Sequence, residues 1–409
     1  MKEILCSIIT IGDELLIGQT IDTNSAWIAQ QLNAIGIQVI RRVAVGDVKD
    51  AIIQALDEEK KRVDIVILTG GLGPTSDDIT KPLLCEYFNG TLVENEEVLK
   101  HVMSIFAKRN RPILASNVRQ AMLPNTCQIL FNEVGTAPGM LFEQDGKIFI
   151  SLPGVPFEMQ YIISTHVLSL LKEKFVAPNI IHRTLVTSGE GESFIANRLT
   201  DFEKELPKHI KLAYLPKLSI VKLRLTAINV DPNEIDVYFN SLKDILANIL
   251  VADTDIELEQ VLAQILTDHK KTMSIAESCT GGYVASIMTS MKGSSAYFKG
   301  GIVPYAIESK IAVLGIHADT IDSHTAVSEQ TVQEMAEQCR LKFKSDYAVS
   351  ISGYLEKNDS QNEVWIAVAS AKEIKTKKII VPYDREKNRI LASNTALNLL
   401  RLFIVEEGR

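Results

Sequence analysis

The stretch Ile-Leu-Cys-Ser-Ile-Ile-Thr-Ile-Gly, residues 4–12, is the clearest fold signal in the chain. Its β-branched run ending in glycine predicts a buried strand followed by a loop. Apolar residues at helical spacing follow between residues 27 and 35, and Asp22-Thr23-Asn24 precede them as candidate caps. Outward from there, the pattern predicts a strand over 37–45, a helix over 50–59 and a buried strand over 63–69. This βαβαβ order predicts an α/β fold with a doubly wound sheet.

The rest of the chain predicts further modules, because 409 residues exceed what one hydrophobic core usually supports. The first domain is expected to span residues 1–175, with additional strands at 128–131 and 147–152. A small α+β linking module is expected over 176–252, and a C-terminal α/β domain over 253–409. The strands and helices predicted in these two are 184–187, 194–202, 220–228, 233–250, 258–266, 273–276, 347–352, 364–370 and 377–381.

The composition is that of a folded globular protein, with 46% hydrophobic and 23% charged residues. A formal net charge of -8 provides no positive field for a phosphate backbone, so nucleic acid is not expected as the primary partner. The five cysteines are scattered and form no Cys-x-x-Cys pair, which favours a reducing cytoplasm. No apolar run reaches the length of a signal-peptide core or a membrane span, so we expect a cytoplasmic protein without membrane contact.

Three polar, glycine-containing segments follow the predicted strands, at residues 12–14, 45–47 and 69–74. Ligands bind at the carboxyl ends of the strands in doubly wound sheets, so these segments are expected to meet. The Gly-Gly-x-Gly turn exposes backbone N–H groups to an anion. Asp77 and Asp78 are adjacent carboxylates, an arrangement that a nearby cation stabilises. The pattern predicts a pocket for a phosphate group and a divalent metal such as Mg²⁺.

Simpler interpretations of the same residues are open. Asp22-Thr23-Asn24 can cap the helix that follows. A Gly-Gly-x-Gly turn on its own is equally typical of a tight structural turn. The motif spacing therefore indicates what the loops can hold, without identifying a ligand.

Four segments resemble the CinA family. They are Ile-Thr-Ile-Gly-Asp-Glu-Leu-Leu-Ile-Gly-Gln-Thr-Ile-Asp-Thr-Asn-Ser (9–25), Thr-Gly-Gly-Leu-Gly-Pro-Thr-Ser-Asp-Asp-Ile-Thr (69–80), Asn-Glu-Val-Gly-Thr-Ala-Pro-Gly (132–139) and Leu-Pro-Gly-Val-Pro-Phe-Glu-Met (152–159). The resemblance covers the whole N-terminal domain, which is also similar to the molybdopterin-binding fold of MoaB, MogA and MoeA. It implies a metal-dependent pyrophosphatase that acts on ADP-ribose, with the diphosphate over residues 70–75.

The resemblance also implies roles for individual residues. Asp47 and Asp78 match acidic positions of the molybdopterin-binding relatives and are assigned as catalytic. Our hypothesis is that carboxylates hold the metal, drawn from Glu14, Asp47, Asp77, Asp78 and Glu158. The ligand-binding positions are Gly12, Asn24, Gly70, Gly71, Gly73, Thr75, Asn117, Gly135, Thr136, Pro153 and Gly154. Molybdopterin binding is the competing interpretation, although a protein of that pathway is expected to lack the two later domains.

The C-terminal domain contains a second group of reactive side chains within residues 274–310. A serine needs a base to become a nucleophile, and a buried lysine with a lowered pKa can serve. Ser295, Tyr305 and Lys310 could form such a relay. The simpler interpretation is that Tyr305 packs against the core and that Lys310 is a solvated surface charge.

Two neighbouring residues also have structural interpretations. Ser278 can cap the helix that follows it. Cys279 has no histidine nearby in the sequence, so it is interpreted as a small buried thiol rather than a nucleophile.

This region resembles the C-terminal domain of the CinA family. The matching segments are Ser-Ile-Ala-Glu-Ser-Cys-Thr-Gly-Gly (274–282), Gly-Ser-Ser-Ala-Tyr-Phe (293–298) and Tyr-Ala-Ile-Glu-Ser-Lys (305–310). In its active form that domain deamidates nicotinamide mononucleotide. The resemblance therefore implies catalytic roles for Ser295, Tyr305 and Lys310.

Two departures from the family pattern affect the predicted activity. The family loop Gly-Ile-Ala-Gly-Pro-x-Gly-Gly is replaced by Gly-Tyr-Leu-Glu-Lys-Asn-Asp-Ser-Gln-Asn-Glu (353–363), and Tyr-Ser-Asn becomes Tyr-Ala-Ile (305–307). Backbone N–H donors of such a loop are each worth about 3 kcal/mol in an oxyanion site. We therefore expect an N-terminal ADP-ribose hydrolase joined to a weakened or inactive deamidase domain.

Two further hypotheses belong to other classes. One is a bifunctional enzyme with an active nicotinamide mononucleotide deamidase, and the other is a non-catalytic nucleotide-binding scaffold. In all three cases the expected partner is a small-molecule nucleotide. The expected assembly is a symmetric homodimer.

Overall fold

The computed structural model of the chain describes residues 3–75, 77–356 and 362–408. The chain divides into two compact units, Met1–Ile180 and Ile181–Arg409. Both combine helices with parallel and antiparallel strands, which confirms the α/β fold class. Among the residues in those described ranges, no helix is both long and apolar enough to cross a bilayer.

The first unit is built on a six-stranded sheet. Its elements are β1 Ile4–Ile11, α1 Asp13–Leu16, α2 Thr23–Asn33, β2 Ile37–Val45, α3 Lys49–Glu59, β3 Ile65–Thr69, α4 Thr80–Tyr87, β4 Leu92–Glu94, α5 Glu96–Lys108, α6 Ala115–Val118, β5 Met122–Pro124, β6 Gln128–Leu130, β7 Gly139–Gln144, β8 Lys147–Leu152, α7 Pro156–Ile162 and α8 Leu168–Lys174. The strand order is β2-β1-β3-β8-β7-β6. The first four strands run parallel, and β7 and β6 pair antiparallel.

Alternating side chains of the central strands fill two separate apolar cores, one on each face of this sheet. Ile9 and Ile11 of β1 belong to one core, whereas Cys6 and Ile8 belong to the other. Successive residues of a strand point to opposite faces, so continuous apolar runs are needed when both faces are covered. The sequence 4–11 meets this condition, and the predicted doubly wound sheet is confirmed.

The second unit contains two sheets. Its elements are β9 Ile180–Ser188, α9 Glu192–Arg198, α10 Thr200–Glu205, β10 Ile210–Lys217, β11 Ile220–Ile228, α11 Pro232–Ile245, β12 Leu250–Ala252, α12 Leu258–Asp268, β13 Met273–Glu277, α13 Tyr283–Thr289, β14 Phe298–Ile302, α14 Ile307–Ser309, α15 Ala318–His324, α16 Glu329–Phe343, β15 Tyr347–Gly353, β16 Glu363–Ala369, β17 Ile374–Ile380 and α17 Arg385–Glu407. The strand orders are β10-β11-β9-β12 and β14-β13-β15-β16-β17.

Two predicted helices of this unit differ from the structure. The single helix predicted over 194–202 is divided into α9 and α10 at Leu199. The helix predicted over 233–250 ends at Ile245, because residues 246–249 form a turn that leads into β12, and β12 pairs with β9. In the second case sheet pairing between distant segments determines the end of the helix.

The linking module and the C-terminal sheet share one apolar core. Val186, Ile220 and Val251 belong to the same buried cluster as the apolar residues of α12, β13 and α17. At the edge of this core the Lys222 ammonium pairs with the carboxylates of Asp255, at 2.7 Å, and Glu257, at 2.9 Å. Residues 181 onward therefore fold as one compact unit.

The carboxyl ends of β1, β3 and β8 approach one another closely. Gly70 has a φ of +118°, and a Cβ atom added there would overlap the carbonyl oxygen of Ile11. Its N–H donates to the carbonyl of Leu152 at 3.1 Å. A Cβ atom at Gly154 would lie 3.4 Å from the Gly70 Cα atom. Glycine at position 70 therefore sets how tightly the three strand ends meet.

We predict that Gly70→Ala lowers the free energy of unfolding of the first unit by about 3 kcal/mol, because it adds an overlap with backbone to the strain of a positive φ. Gly146→Ala is the matched control, since Gly146 has a φ of +73° and no atom within 4 Å of its added Cβ. It should cost only about 1 kcal/mol. Urea unfolding measures both, and equal losses would contradict the close approach at Gly70.

Candidate functional site

The first candidate site lies where β1, β3 and β8 end. Asn24 Nδ2 donates to Thr69 Oγ1 at 3.2 Å and to the Gly154 carbonyl at 2.8 Å. Thr69 Oγ1 in turn donates to the carbonyl of Pro153 at 2.9 Å. Within the described part of the chain, Asn24 Oδ1 is buried without a hydrogen-bond partner. It is therefore an acceptor that a ligand can use.

A small cavity of about 130 Å³ adjoins this acceptor. Its lining includes Glu14, Asp22, Asn24, Thr69, Gly154 and Pro156. Asp22 caps α2 by accepting from the Ser25 N–H at 2.9 Å, so the capping interpretation is correct for Asp22. Drug-sized ligands need roughly 300 Å³ or more, so this cavity suits one group of a ligand rather than a whole nucleotide.

Acidic side chains gather around Asp47, and one of them, Glu14, lines the cavity. Asp47 Oδ2 accepts from the Asp13 N–H at 3.1 Å, and Asp13 Oδ1 accepts from the Asp47 N–H at 3.3 Å. Burial raises the pKa of Asp47, and the charges of Asp13, Glu14 and Asp77 raise this pKa further. The nearby Thr75 side chain lowers the pKa of the exposed Asp77. The site is therefore strongly negative and suited to a cation.

Asp78 clamps the glycine loop. Its carboxylate accepts from the Gly73 N–H at 2.7 Å, from the Thr75 N–H at 2.8 Å and from the Thr75 hydroxyl. A Cβ atom at Gly73 would overlap this carboxylate, so a larger residue there would displace Asp78 from these hydrogen bonds. The prediction that the loop exposes its N–H groups to an anion is wrong for Gly70, Gly73 and Thr75, because all three donate within the protein.

Glu158 and Asn117 are also used locally. Glu158 Oε2 accepts from Asn132 Nδ2 at 2.6 Å, and burial raises the pKa of Glu158. A Cβ atom at Gly135 would overlap this carboxylate, so Glu158 holds the 132–137 loop, which includes the half-buried Thr136. Asn117 Oδ1 accepts from the Leu114 N–H at 3.0 Å and closes a turn. The structure does not assemble Glu14, Asp77, Asp78 and Glu158 into one metal cage.

The carboxylates near the first cavity are suited to a metal ion only when a ligand supplies part of its coordination. No group of three or more histidine, cysteine, aspartate or glutamate side chains in the described ranges could hold a metal ion alone. Mg²⁺, however, is usually bound through one or two carboxylates together with substrate phosphates. Because Asp13 and Asp47 accept each other's backbone N–H groups, Glu14 and Asp77 are the two carboxylates for that second mode, in which the ion is held jointly with a bound phosphate.

The second candidate site lies at the end of β13, in a cavity of about 320 Å³. Lys310 is 2% exposed, and its Nζ donates to Ser278 Oγ at 3.0 Å. Nζ also donates to the carbonyls of Pro304, at 2.9 Å, and Tyr305, at 3.1 Å. Burial lowers the pKa of the Lys310 ammonium. The surface-charge interpretation of Lys310 is therefore wrong.

Glu277 positions the turn that carries Ser278. Its fully buried carboxylate accepts from the N–H groups of Gly282 at 3.1 Å, Val284 at 3.1 Å and Ala285 at 2.8 Å. These groups lie at the start of α13, so Glu277 takes the capping place that the simpler interpretation gave to Ser278. The Ser278 hydroxyl instead contacts Lys310 Nζ.

The predicted relay differs from the structure in two respects. Ser295 is exposed in a 3-10 turn, Ser294–Ala296, and does not line the cavity. The Tyr305 hydroxyl lies at the mouth, where it accepts from Arg385 Nη2 at 3.1 Å, and only the Tyr305 carbonyl contacts Lys310. Sequence reasoning missed Ser278 as the partner of Lys310, although both belong to the quoted motifs.

Two other features of this cavity were predicted from the sequence. Cys279 is buried, which raises the pKa of its thiol to about 12 and supports the interpretation as an inert thiol. The altered loop begins in the cavity lining with Gly353, Tyr354 and Glu356. Its residues 357–361 lie outside the described residues.

A larger cavity of about 560 Å³ lies at the other end of the same sheet. Lys271 there is paired with Asp346 at 3.1 Å. Arg340 and Lys344 lie at the end of α16, where positive charge stabilises the helix dipole. We place the chemistry at the smaller cavity, because that cavity contains the buried lysine and serine.

Three family models match the chain. They are "Probable molybdopterin binding domain" at residues 7–173, "Damage-inducible protein CinA KH domain" at 182–253 and "CinA C-terminal domain" at 255–404. A CinA-like protein from Flavobacterium psychrophilum is 47% identical over 405 residues, which cover 96% of this chain and 97% of the relative. The chain belongs to the CinA family. A CinA-like protein from Cytophaga hutchinsonii is 43% identical, with 97% of each chain covered.

Solved structures of CinA proteins are similar to parts of this family member. The crystal structure of the protein CinA from Thermoplasma acidophilum is 34% identical, with a TM-score of 0.38, and the match covers 42% of this chain and 99% of that chain. The competence-damaged protein superfamily member from Klebsiella pneumoniae is 30% identical, with a TM-score of 0.35 and coverage of 36% and 96%.

The KH match raises the question of nucleic acid in this CinA family member. KH domains clamp a nucleic-acid backbone with a Gly-x-x-Gly loop. Residues 182–253 contain only two glycines, Gly189 and Gly191, and these are too close together for that loop. Glu190 and Glu192 beside them would repel phosphate. Nucleic acid is therefore still not expected as the primary partner.

We predict that Glu277→Gln lowers the free energy of unfolding of the second unit by about 2 to 4 kcal/mol, because hydrogen bonds to a charged acceptor contribute about 1.5–3 kcal/mol each. The amide NH₂ would also face backbone donors. Glu308→Gln, at an exposed position, should change stability by less than about 0.5 kcal/mol. Urea unfolding compares the two, and an unchanged Glu277→Gln midpoint would contradict the anchoring role.

Proposed function

We propose that the second unit of this CinA family member hydrolyses the amide of nicotinamide mononucleotide, with Ser278 as nucleophile and Lys310 as general base. The observation that supports this most directly is the 3.0 Å contact between Lys310 Nζ and Ser278 Oγ at the floor of a cavity. The retained pair is the reason for favouring an active deamidase over the weakened domain predicted from the altered loop.

The hydrogen bonds of Lys310 suit a neutral amine. A neutral amine has two N–H donors and one lone pair, and two carbonyl oxygens, of Pro304 and Tyr305, are in place to accept from the donors. The lone pair can then accept the Ser278 hydroxyl proton. Burial lowers the pKa of Lys310 and so increases the fraction in this form at neutral pH.

The proposed reaction proceeds through an acyl-enzyme. Ser278 Oγ attacks the amide carbon while its proton passes to Lys310 Nζ. The C–N bond then breaks, and Lys310 returns the proton to the departing ammonia. Water attacks the ester carbon, loses a proton to Lys310, and releases the carboxylate product while Ser278 regains its proton.

We predict that Ser278→Ala and Lys310→Met each lower deamidation of nicotinamide mononucleotide at least about a thousandfold, because either change removes one half of the nucleophile and base pair. Ser295→Ala is the matched control and should keep near wild-type activity. Release of ammonia and of the acid mononucleotide measures all three. If Ser295→Ala lost most of its deamidase activity while Ser278→Ala remained active, Ser295 rather than Ser278 would be the nucleophile.

The pH dependence of this reaction provides the internal check. Protonated Lys310 has no lone pair, so the rate should rise with pH, about tenfold per unit, until Lys310 is neutral. Because burial lowers the pKa of Lys310, the plateau should begin below the pH of about 10.4 at which an ordinary lysine loses its proton. A rate that is flat from pH 5 to 9 would contradict lysine as the base.

We propose in addition that the first unit binds and hydrolyses ADP-ribose with a divalent metal. Glu14 and Asn24, whose buried Oδ1 has no hydrogen-bond partner among the described residues, line a cavity, and the charges of Asp13, Glu14 and Asp77 act on Asp47 nearby. A bound metal would polarise the phosphoryl oxygens. Glu14 and Asp77 are the residues best placed to hold it together with the diphosphate.

Asp47 is the candidate base for this second reaction. Its pKa is raised by burial and by neighbouring negative charges, so it holds a proton more readily than an ordinary aspartate. The oxygen of a water molecule would attack one phosphorus as its proton passes to Asp47, and the bond to the bridging oxygen would break. The products are AMP and ribose phosphate.

We predict that Asp47→Asn lowers magnesium-dependent hydrolysis of ADP-ribose about a hundredfold or more, because the amide cannot accept the proton. Asp145→Asn is the control, since Asp145 is exposed in the β7–β8 turn. Mass spectrometry of AMP and ribose phosphate measures the rate. Undiminished hydrolysis in Asp47→Asn would remove Asp47 from the mechanism, and binding without hydrolysis in the wild type would favour a non-catalytic role.

A further inference from the structure

The glycine-rich turn after β13 resembles a phosphate-binding turn, but a carboxylate of the protein itself occupies the position of the anion. A glycine-rich turn leading into a helix normally offers its N–H groups to an anion. Here the N–H groups of Gly282, Val284 and Ala285 all donate to the buried Glu277 carboxylate. A phosphate on a ligand in this cavity therefore needs another donor.

Arg385 provides that donor at the mouth of the cavity. It is the first residue of α17, so the positive end of the helix dipole adds to its own charge. Arg385 Nη2 donates to the Tyr305 hydroxyl and Nη1 donates to Glu356 Oε1, each at 3.1 Å. The guanidinium is thus already held by two oxygen acceptors in a forked arrangement.

We propose that Arg385 and Tyr305 form the binding site for the phosphate monoester of the nucleotide substrate, and that Glu356 occupies this site when no substrate is bound. This inference deepens the proposed amidohydrolase and rests on it for the identity of the substrate. It assigns Tyr305 to substrate binding rather than to proton transfer with Lys310.

The chemistry of the three side chains supports this exchange. A guanidinium binds phosphate through parallel N–H donors, and a carboxylate oxygen is the protein group that most resembles a phosphate oxygen. Since the Tyr305 oxygen accepts from Arg385, its own O–H is available to donate to a phosphate oxygen. Glu356 is an exposed side chain, so it can leave when the phosphate enters.

The arrangement makes the phosphate a specificity determinant. A nicotinamide riboside lacks the phosphate and would gain nothing from Arg385. The mononucleotide must displace Glu356, so removal of the Glu356 charge should strengthen its binding. Arg385 and Glu356 should therefore act in opposite directions on one ligand and leave the other unchanged.

The test uses the full chain with Ser278→Ala, which binds without turnover, and isothermal titration calorimetry with nicotinamide mononucleotide and nicotinamide riboside. Added Arg385→Ala should weaken mononucleotide binding about 10- to 100-fold, the range for loss of charge-assisted hydrogen bonds. Added Glu356→Gln should strengthen it about threefold or more. Neither should change riboside binding. Lys387→Ala is the control, because it removes one positive charge from the same helix turn outside the cavity.

Three results would overturn the proposal: unchanged mononucleotide affinity in Arg385→Ala, equal losses for mononucleotide and riboside, or no mononucleotide binding at all. Ammonia release by the chain without Ser278→Ala is measured separately. Arg385-dependent binding without ammonia release would refute the amidohydrolase and keep the phosphate site. Ammonia release with the same KM in Arg385→Ala would support the amidohydrolase and refute the phosphate site.

Discussion

The C-terminal site depends on the buried carboxylate of Glu277. A buried charge is tolerated only when it is hydrogen-bonded, and three backbone N–H groups at the start of α13 meet this need. The same bonds fold the chain into the tight turn in which Gly281 and Gly282 adopt positive φ values. Ser278 is fixed at the other end of the turn by its N–H bond to the Ile351 carbonyl. Its hydroxyl lies 3.0 Å from Lys310 Nζ.

The first unit uses acidic side chains in a related way. Asp78 and Glu158, both predicted as metal ligands, are hydrogen-bonded to the loops that surround them. They set the shape of the pocket, whereas Asp13 and Asp47 link the ends of β1 and β2. An acidic residue in a glycine-rich motif can therefore accept hydrogen bonds from its own loop instead of binding a ligand. Only the hydrogen bonds distinguish the two roles.

The sequence predicted the parallel strands of the first unit well, because long β-branched runs are needed wherever both faces of a sheet are covered. The antiparallel strand β7, Gly139–Gln144, was not predicted. The strands 4–11, 37–45 and 147–152 have the predicted bounds. Ends that depend on distant pairing, such as the end of α11 before β12, were not predictable from local patterns.

The same distinction between local and distant contacts applies to the candidate sites. The motif identified Lys310 as a reactive residue. Its contact with Ser278 joins residues 32 positions apart, and the motif pattern predicted Ser295 as the nucleophile instead of Ser278. Arg385 lies 80 residues from Tyr305 and belongs to no motif that was recognised. Local sequence signals name reactive residue types, whereas the partners of those residues are determined by the way strands and helices return to one edge of the sheet.

The apolar core shared by the linking module and the C-terminal sheet bears on how such proteins can be divided and recombined. Val186, Ile220 and Val251 cover part of the core of the following domain. A shorter relative that begins near residue 253 would have to replace these side chains or expose the surface beneath them. Although separate family models match residues 182–253 and 255–404, the two segments form one compact unit in the structure. A cut near residue 253 would therefore divide a buried core, whereas a cut near residue 180 falls between the two units.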